Sequence, residues 1–170
     1  MINIVLYRPE KPQNTGNIIR TSMAIGAKLH IIGPITFSIN NSDLKRVSMD
    51  YIKDAKIIYY DSIDDFYSKH KDDKIVYITR YAKTVYSNYD FTNSNIDLYV
   101  MFGRESTGIP HDILRNNFAN CLRLPMVADA RSLNLSNCVA VICYEILRQQ
   151  KFNNLATTEM IKGEDFLFNE

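Results

Sequence analysis

Short apolar, β-branched runs alternate with stretches of helical period along the chain. Ile2–Tyr7 reads as a buried strand, and Asn14–Ile25 follows as a helix, with Ile18, Ile19, Met23 and Ala24 near helical spacing. Gly26 ends that helix. Lys28–Ile32 is a second strand, closed by Gly33-Pro34, and Lys56–Tyr60 is a third. Ser62 can cap a helix that carries Ile63, Phe66 and Tyr67 on one side. Lys74–Thr79 and Leu98–Phe102 read as further strands, Pro110 opens a short helix through Arg115, and Cys121–Leu124 is a last short strand. Leu135–Gln149 is the strongest helix, apolar over most of its surface, with Ser136 as a candidate cap. Strands that alternate with helices predict an α/β fold on a mostly parallel sheet with helices on both faces.

The length of 170 residues suits one domain with a single core, read here as residues 1–151. Beyond it, residues 152–170 change character: paired Asn and Thr give way to scattered apolar residues among acids. That segment reads as a tail, either a short docked helix or a partly disordered stretch. A composition of 46% hydrophobic and 23% charged residues excludes the disordered and fibrous classes. No run reaches the roughly 18 apolar residues a membrane span requires. The start, MINIVLYRPE, lacks the basic and long apolar regions of a signal peptide, so the cytoplasm is the expected compartment. Cys121, Cys138 and Cys143 form an odd set with no CxxC pair, and His30, His70 and His111 add no ligand spacing, so no metal centre or disulfide framework is expected. His30, in a strand, reads as structural. The net charge of +1 constrains the partner little, because the placement of charge matters more than its sum.

Three segments could carry chemistry. Pro12-Gln13-Asn14-Thr15-Gly16-Asn17-Ile18-Ile19-Arg20 follows the first strand, where free backbone N–H groups at a helix start can hold anions. Arg20 could point back toward that mouth, while Asn14 or Thr15 could equally be a plain helix cap. Phe102-Gly103-Arg104-Glu105-Ser106-Thr107-Gly108-Ile109-Pro110 follows a buried strand. Its two glycines permit close backbone approach to a ligand, and Glu105 stands at a strand's carboxyl end, where parallel sheets place their sites. Leu124-Pro125-Met126 through Arg131-Ser132-Leu133-Asn134-Leu135-Ser136-Asn137 joins the last strand to the long helix, with polar Ser132 and Asn134 alternating with anchoring leucines. The dinucleotide pattern GxGxxG is absent, which argues against a nicotinamide Rossmann enzyme and against a methyltransferase of the Gly-rich Rossmann type; the P-loop and the GxSxG nucleophile elbow are absent too.

Taken together, in this order and spacing, the three segments resemble the signature motifs of the SPOUT superfamily of RNA methyltransferases, and within it the minimal branch that resembles tRNA wobble-nucleotide 2′-O-methyltransferases. The resemblance covers residues 1–150. Ser106 stands where Thr is usual, Ile109 where Leu is usual, Leu124 replaces a frequent Ile, and Arg104 occupies a variable position. The resemblance implies a sheet whose C-terminal part is threaded into a deep trefoil knot, an otherwise rare topology. It also implies a homodimer with each active site near the subunit interface. S-adenosylmethionine is the implied cofactor, with Ile78, Gly103, Leu124 and Ser132 matching positions that line its pocket. No metal is implied. Asn14, Arg20, Glu105, Ser132 and Asn134 match the catalytic set. Arg20 is then the group that accepts the hydroxyl proton or steadies the forming alkoxide. A guanidinium with a pKa above about 12 suits a fixed positive charge or phosphate clamp better than a base. Glu105 is expected to orient Arg20 or Asn14, and Ser132 and Asn134 to hold the ribose or the methionine portion. The implied partner is a tRNA anticodon arm, with Arg8, Lys11, Lys45, Arg46 and Lys83 as candidate phosphate contacts. The alternatives are a 2′-O-methyltransferase for another tRNA or ribosomal RNA position, a non-catalytic RNA-binding protein of the same fold, and a flavodoxin-like metabolic enzyme.

Overall fold

The computed structural model of the chain describes residues 1–38 and 54–168. Among them, the strands β1 (Ile2–Tyr7), β2 (Lys28–Ile32), β3 (Ile57–Tyr60), β4 (Lys74–Ile78), β5 (Thr84–Val85), β6 (Leu98–Phe102) and β7 (Cys121–Arg123) form one sheet. The strand order is β3-β2-β1-β6-β4-β7-β5, and every pairing is parallel. Helices α1 (Pro12–Ala24), α2 (Ile63–Lys69), α3 (His111–Asn116) and α4 (Leu135–Gln149) cover its faces. The expected α/β architecture is present.

The central strands β1 and β6 are buried along their whole length. They read as continuous apolar runs because both faces are covered. On one face Ile4, Leu6, Val100 and Phe102 meet Ile18 and Ile19 of α1 and Val139, Ile142 and Ile146 of α4. On the other, Val5, Tyr77 and Met101 meet Phe66 of α2 and Leu114 of α3. The buried side of α4 is therefore core, while Val141 and Tyr144 on the same helix are exposed.

Several boundaries differ from the sequence reading, each for a local reason. Helix α1 starts at Pro12, two residues early, because proline at the first helical position gives up no bonded N–H. It ends before Gly26, whose φ of +67° is left-handed. Ser62 caps α2 as expected, accepting from the Asp65 amide at 3.1 Å. Helix α4 is capped by Asn134, not Ser136: the Asn134 Oδ1 accepts from the amides of Ser136 (2.9 Å) and Asn137 (3.4 Å). Ser136 sits inside the first turn, buried, and donates its own hydroxyl to the same oxygen at 2.7 Å. Strand β5 was not foreseen, since its two residues show no period.

Strand β7 lies between β4 and β5, so the 79–83 connection that joins those two crosses it. The Thr79 amide donates to the Leu122 carbonyl at 3.0 Å and the Arg123 guanidinium to the Arg80 carbonyl at 2.8 Å. A later strand inside an earlier connection is the arrangement a knotted C-terminal part requires. After α4 the chain runs in turns to a single 3-10 turn at Phe166–Phe168. Leu155 packs against the core, and Met160, Ile161, Leu167 and Phe168 are exposed. Among the described residues no helix is long and apolar enough to cross a membrane.

On the α2 side of the sheet, Asn3, His30 and Tyr60 form a buried polar cluster that His70 and Asp73 extend toward the surface. His30 Nε2 lies 3.1 Å from Asn3 Oδ1, and His30 Nδ1 lies 2.8 Å from the Tyr60 hydroxyl. That hydroxyl is also 2.8 Å from His70 Nε2, and His70 Nδ1 is 2.8 Å from Asp73. His30 is thus structural, as its strand position implied. Burial, aided by the nearby His70 and Lys28, lowers its pKa from 6.5 to about 4. Below about pH 6.5 an unfolded chain takes up a proton here that the folded chain refuses until about pH 4. Stability therefore falls as pH drops through that window, by up to about 1.4 kcal/mol per unit. The melting temperature should fall from pH 7 to pH 5 in the natural chain, and His30→Gln should flatten that slope. Equal slopes in the two proteins, followed by calorimetry, would refute this origin.

Candidate active site

The carboxyl ends of β4, β6 and β7 open into a cleft of about 520 Å³, within the size range of small-molecule and cofactor sites. Its walls come from the residues after β4, from the 102–109 loop after β6 and from the 131–135 segment that leads into α4. The start of α1 closes one side with Lys11 and Asn14. The sequence candidates Asn14, Ile78, Gly103, Glu105, Leu124, Ser132 and Asn134 all line this cleft, although they are drawn from four separate parts of the chain.

One carboxylate ties these parts together. Glu105 accepts from the Glu10 amide at 2.8 Å, the Lys11 amide at 3.2 Å and the Asn14 side-chain amide at 2.9 Å. The backbone amides that meet an anion here are those of Glu10 and Lys11, just before α1, and the anion is the protein's own. Asn14 and Thr15 do not cap the helix: the cap position is Lys11, with no side-chain bond of its own. Asn14 passes the link on, because its Oδ1 accepts from Asn134 Nδ2 at 3.0 Å. Asn134 in turn caps α4. Each amide donates in one direction and accepts from the other, so the orientation of all three side chains is determined.

A second carboxylate, Glu10, reinforces the same joint. It accepts from the Arg104 guanidinium (2.6 Å and 3.1 Å) and from the Ser106 amide (2.9 Å) and hydroxyl (2.8 Å). The Ser106 bonds, then the Arg104 charge, hold its carboxyl below the usual range. Sequence reasoning missed Glu10 and treated Arg104 as variable; no spacing marks either, because their relation is across 94 residues. The loop itself is a tight reversal in which Arg104 and Gly108 exchange backbone bonds of 3.1 Å and 2.9 Å. A Cβ on Gly103 would collide with the Gly108 carbonyl carbon and the Ile109 nitrogen. Gly103 is therefore required by the close approach of the protein's own backbone, whereas the sequence suggested approach to a ligand. Gly108 adopts a φ of +72°.

Arg20 is not brought to the cleft. It is exposed on α1 and borders a shallow depression with Thr21, Met23, Ala24 and Tyr144. The expectation that it points back to the helix mouth is corrected, because the helix turns Arg20 to another face; of the two side chains Glu105 was expected to orient, Arg20 or Asn14, it is Asn14. Arg8 has a φ of +49°, donates from Nε to the Gly33 carbonyl at 3.1 Å and lies over the Tyr7 ring. Lys83 is exposed on the 79–83 connection, Lys11 lines the cleft, and Lys45 and Arg46 lie outside the described residues. No group of three or more His, Cys, Asp or Glu that could hold a metal occurs among the described residues. Burial pushes the Cys143 thiol up to about 12, consistent with a role as a core hydrophobe.

The sequence profile of the SpoU rRNA Methylase family matches residues 1–144. A Listeria monocytogenes protein, named provisionally as a tRNA (cytidine(34)-2′-O)-methyltransferase, is 47% identical over 153 residues, 90% of each chain. The Escherichia coli tRNA (cytidine(34)-2′-O)-methyltransferase is 38% identical over 150 residues, 88% of this chain and 94% of that protein. A solved structure concerned with 2-OH methylation of C/U34 on tRNA superposes with a TM-score of 0.82 at 33% identity, covering 90% of this chain and 98% of the other.

Two substitutions test the joint. Glu105→Gln replaces one of the two accepting oxygens with an amide donor, facing either the Glu10 amide or those of Lys11 and Asn14, and should cost about 1–3 kcal/mol of stability. Gly103→Ala, which must force the loop off its own backbone, should cost a similar 1–3 kcal/mol. Urea midpoints that match the natural chain in both variants would show that this contact set is not structurally important.

Proposed function

The chain belongs to the SpoU rRNA methylase family, and we propose that it methylates the ribose 2′-hydroxyl of the wobble nucleotide of tRNA, with S-adenosylmethionine as methyl donor. The observation that carries this reading is the convergence of three distant motifs on one cleft through Glu105, Asn14 and Asn134. The names of relatives similar over about nine-tenths of their length support the substrate.

The cleft fits the cofactor. Ile78, Ile109, Leu124 and Leu135 supply apolar walls, and the backbone around Gly103 supplies hydrogen-bonding groups beside them. When bound, the cofactor supplies a methyl group activated on a sulfonium. Ser132 and Asn134 are then in reach of its polar end or of the ribose. Glu105 holds Asn14 and the start of α1 in place by charge-assisted bonds, so the ribose meets a prearranged surface. Positioning does much of the work, because the methyl donor is already reactive.

The hydroxyl must still give up its proton, and the cleft of a single chain has no Arg20. The protein acts as a homodimer in which a second copy brings its Arg20 to this cleft. Exposed Val141 and Tyr144 on α4, beside the Arg20 depression on α1, form the surface that supports this pairing. A permanently charged guanidinium there stabilises the forming alkoxide or clamps the neighbouring phosphate. Lys11 at the cleft, with Arg8 and Lys83, contacts the phosphates of the anticodon arm, and a tRNA substrate fits a cytoplasmic enzyme.

Incubation with labelled S-adenosylmethionine and tRNA lacking the modification should place the label on the 2′-oxygen of the wobble nucleotide by nucleoside mapping. Label on another ribose would overturn the target. Arg20→Ala should lower kcat about 100-fold with unchanged cofactor affinity, and sedimentation should give a dimer. Normal turnover in that variant would refute the role of Arg20.

A further inference from the structure

The rim of the cleft carries an aromatic ring and a group of guanidinium groups that the reading above leaves without a role. Tyr81 stands on the 79–83 connection, lines the cleft and is 57% exposed. Its neighbour Ala82 is buried and anchors the connection. The Tyr81 amide donates to Thr79 Oγ1 at 3.3 Å. His111 braces the ring edge to face, with centroids 5.2 Å apart and planes at 85°. Among the described residues the Tyr81 hydroxyl has no hydrogen-bond partner.

Arg80 and Arg131 line the same cleft as this ring, and Arg123 joins them through the Arg80 backbone. Arg123 donates to the Arg80 carbonyl at 2.8 Å, and Arg80 donates to the Arg131 carbonyl at 3.0 Å. These bonds go to backbone oxygens, so all three charges remain uncompensated: among the described residues none of these arginines forms an ion pair. The one acid among the residues lining the cleft, Glu105, is already occupied by two backbone amides and Asn14.

We propose that Tyr81 is the stacking platform for one base of the substrate RNA, and that Arg80, Arg123 and Arg131 hold the phosphates running past it. The inference rests on the reading of an RNA substrate. A braced aromatic face beside unpaired guanidinium groups suits single-stranded RNA, whose unstacked bases offer π-faces and whose backbone offers regularly spaced anions. The cofactor's ring is served by the deeper apolar walls of Ile109 and Ile78, both less exposed than Tyr81. Tyr81 therefore acts on where the RNA sits and not on the methyl donor. This rim differs from the basic residues picked out in sequence, because β7 and the 131–134 segment meet the 79–83 connection only in the folded chain.

The test is a double-mutant cycle with the full chain and an isolated anticodon-arm RNA, with S-adenosylhomocysteine present. Tyr81→Ala should weaken RNA binding roughly tenfold, Tyr81→Phe should stay near the natural value, and cofactor affinity should not change. In arms with one abasic nucleotide, scanned along the loop, a single position should abolish the difference between the natural chain and Tyr81→Ala. Arg131→Ala should make the dependence of log affinity on log salt less steep by about one. A Tyr81→Ala loss that is the same for every abasic arm, or that falls on the cofactor instead of the RNA, would overturn the proposal. The cycle reads binding and not the methylated position. Label mapped to another ribose therefore leaves it intact, whereas a natural chain that binds no RNA sinks the functional reading itself.

Discussion

The seat of the Glu105 carboxylate on the start of α1 is the contact on which the cleft depends. The helix presents unpaired amides where it begins, and a buried or half-buried donor without an acceptor is costly. An anion from the loop after β6 accepts from the amides of Glu10 and Lys11 at the entry to the helix and gains from the helix dipole. The same carboxylate fixes Asn14, Asn14 fixes Asn134, and Asn134 starts α4. The order of these bonds means that two helices and the loop between them cannot shift independently. Glu10, bonded to Arg104 and Ser106, ties the two connections again from the other side.

The polar groups on the α2 side of the sheet contrast with those at the carboxyl ends of its strands. On the α2 side, the polar groups of Asn3, His30, Tyr60, His70 and Asp73 bond to one another, with Asn3, His30 and Tyr60 buried and His70 and Asp73 partly exposed. No buried side-chain nitrogen or oxygen lacks a partner among the described residues. At the carboxyl ends, polar groups such as Ser132 and Arg131 are exposed around an open cleft. A parallel sheet favours this division, because its connections leave strands at the carboxyl ends and diverge there. The hydrogen-bonded cluster contributes rigidity and a sensitivity to acid; the open cleft contributes groups free to meet ligands.

The 79–83 connection has two tasks that follow from its position over β7. Bonds from Thr79 to Leu122 and from Arg123 to Arg80 hold it to the inserted strand. Held in this way, it presents Arg80 and Tyr81 at the rim without a scaffold of its own. A small protein thereby gains a surface beside its active cleft from backbone it needs in any case.

Much of this was legible in the sequence by itself. Continuous apolar runs such as Ile2–Tyr7 and Leu98–Phe102 announced buried parallel strands, and Ser62 and Gly26 marked helix ends, because burial and backbone conformation act over a few residues. The residue types of Asn14, Glu105, Ser132 and Asn134, carried by motifs with a family resemblance, named the wall of the cleft. What only the tertiary structure decided are relations between residues far apart in the chain: that Glu105 holds Asn14 and not Arg20, that Glu10 pairs with Arg104, that Asn134 and not Ser136 caps α4, and that Gly103 is small to admit its own loop. Hydrophobic period reports which face a residue takes, but the partner across a contact depends on how strands are ordered in the sheet. That order, with β7 between β4 and β5, is set by packing over the whole domain and leaves no local mark.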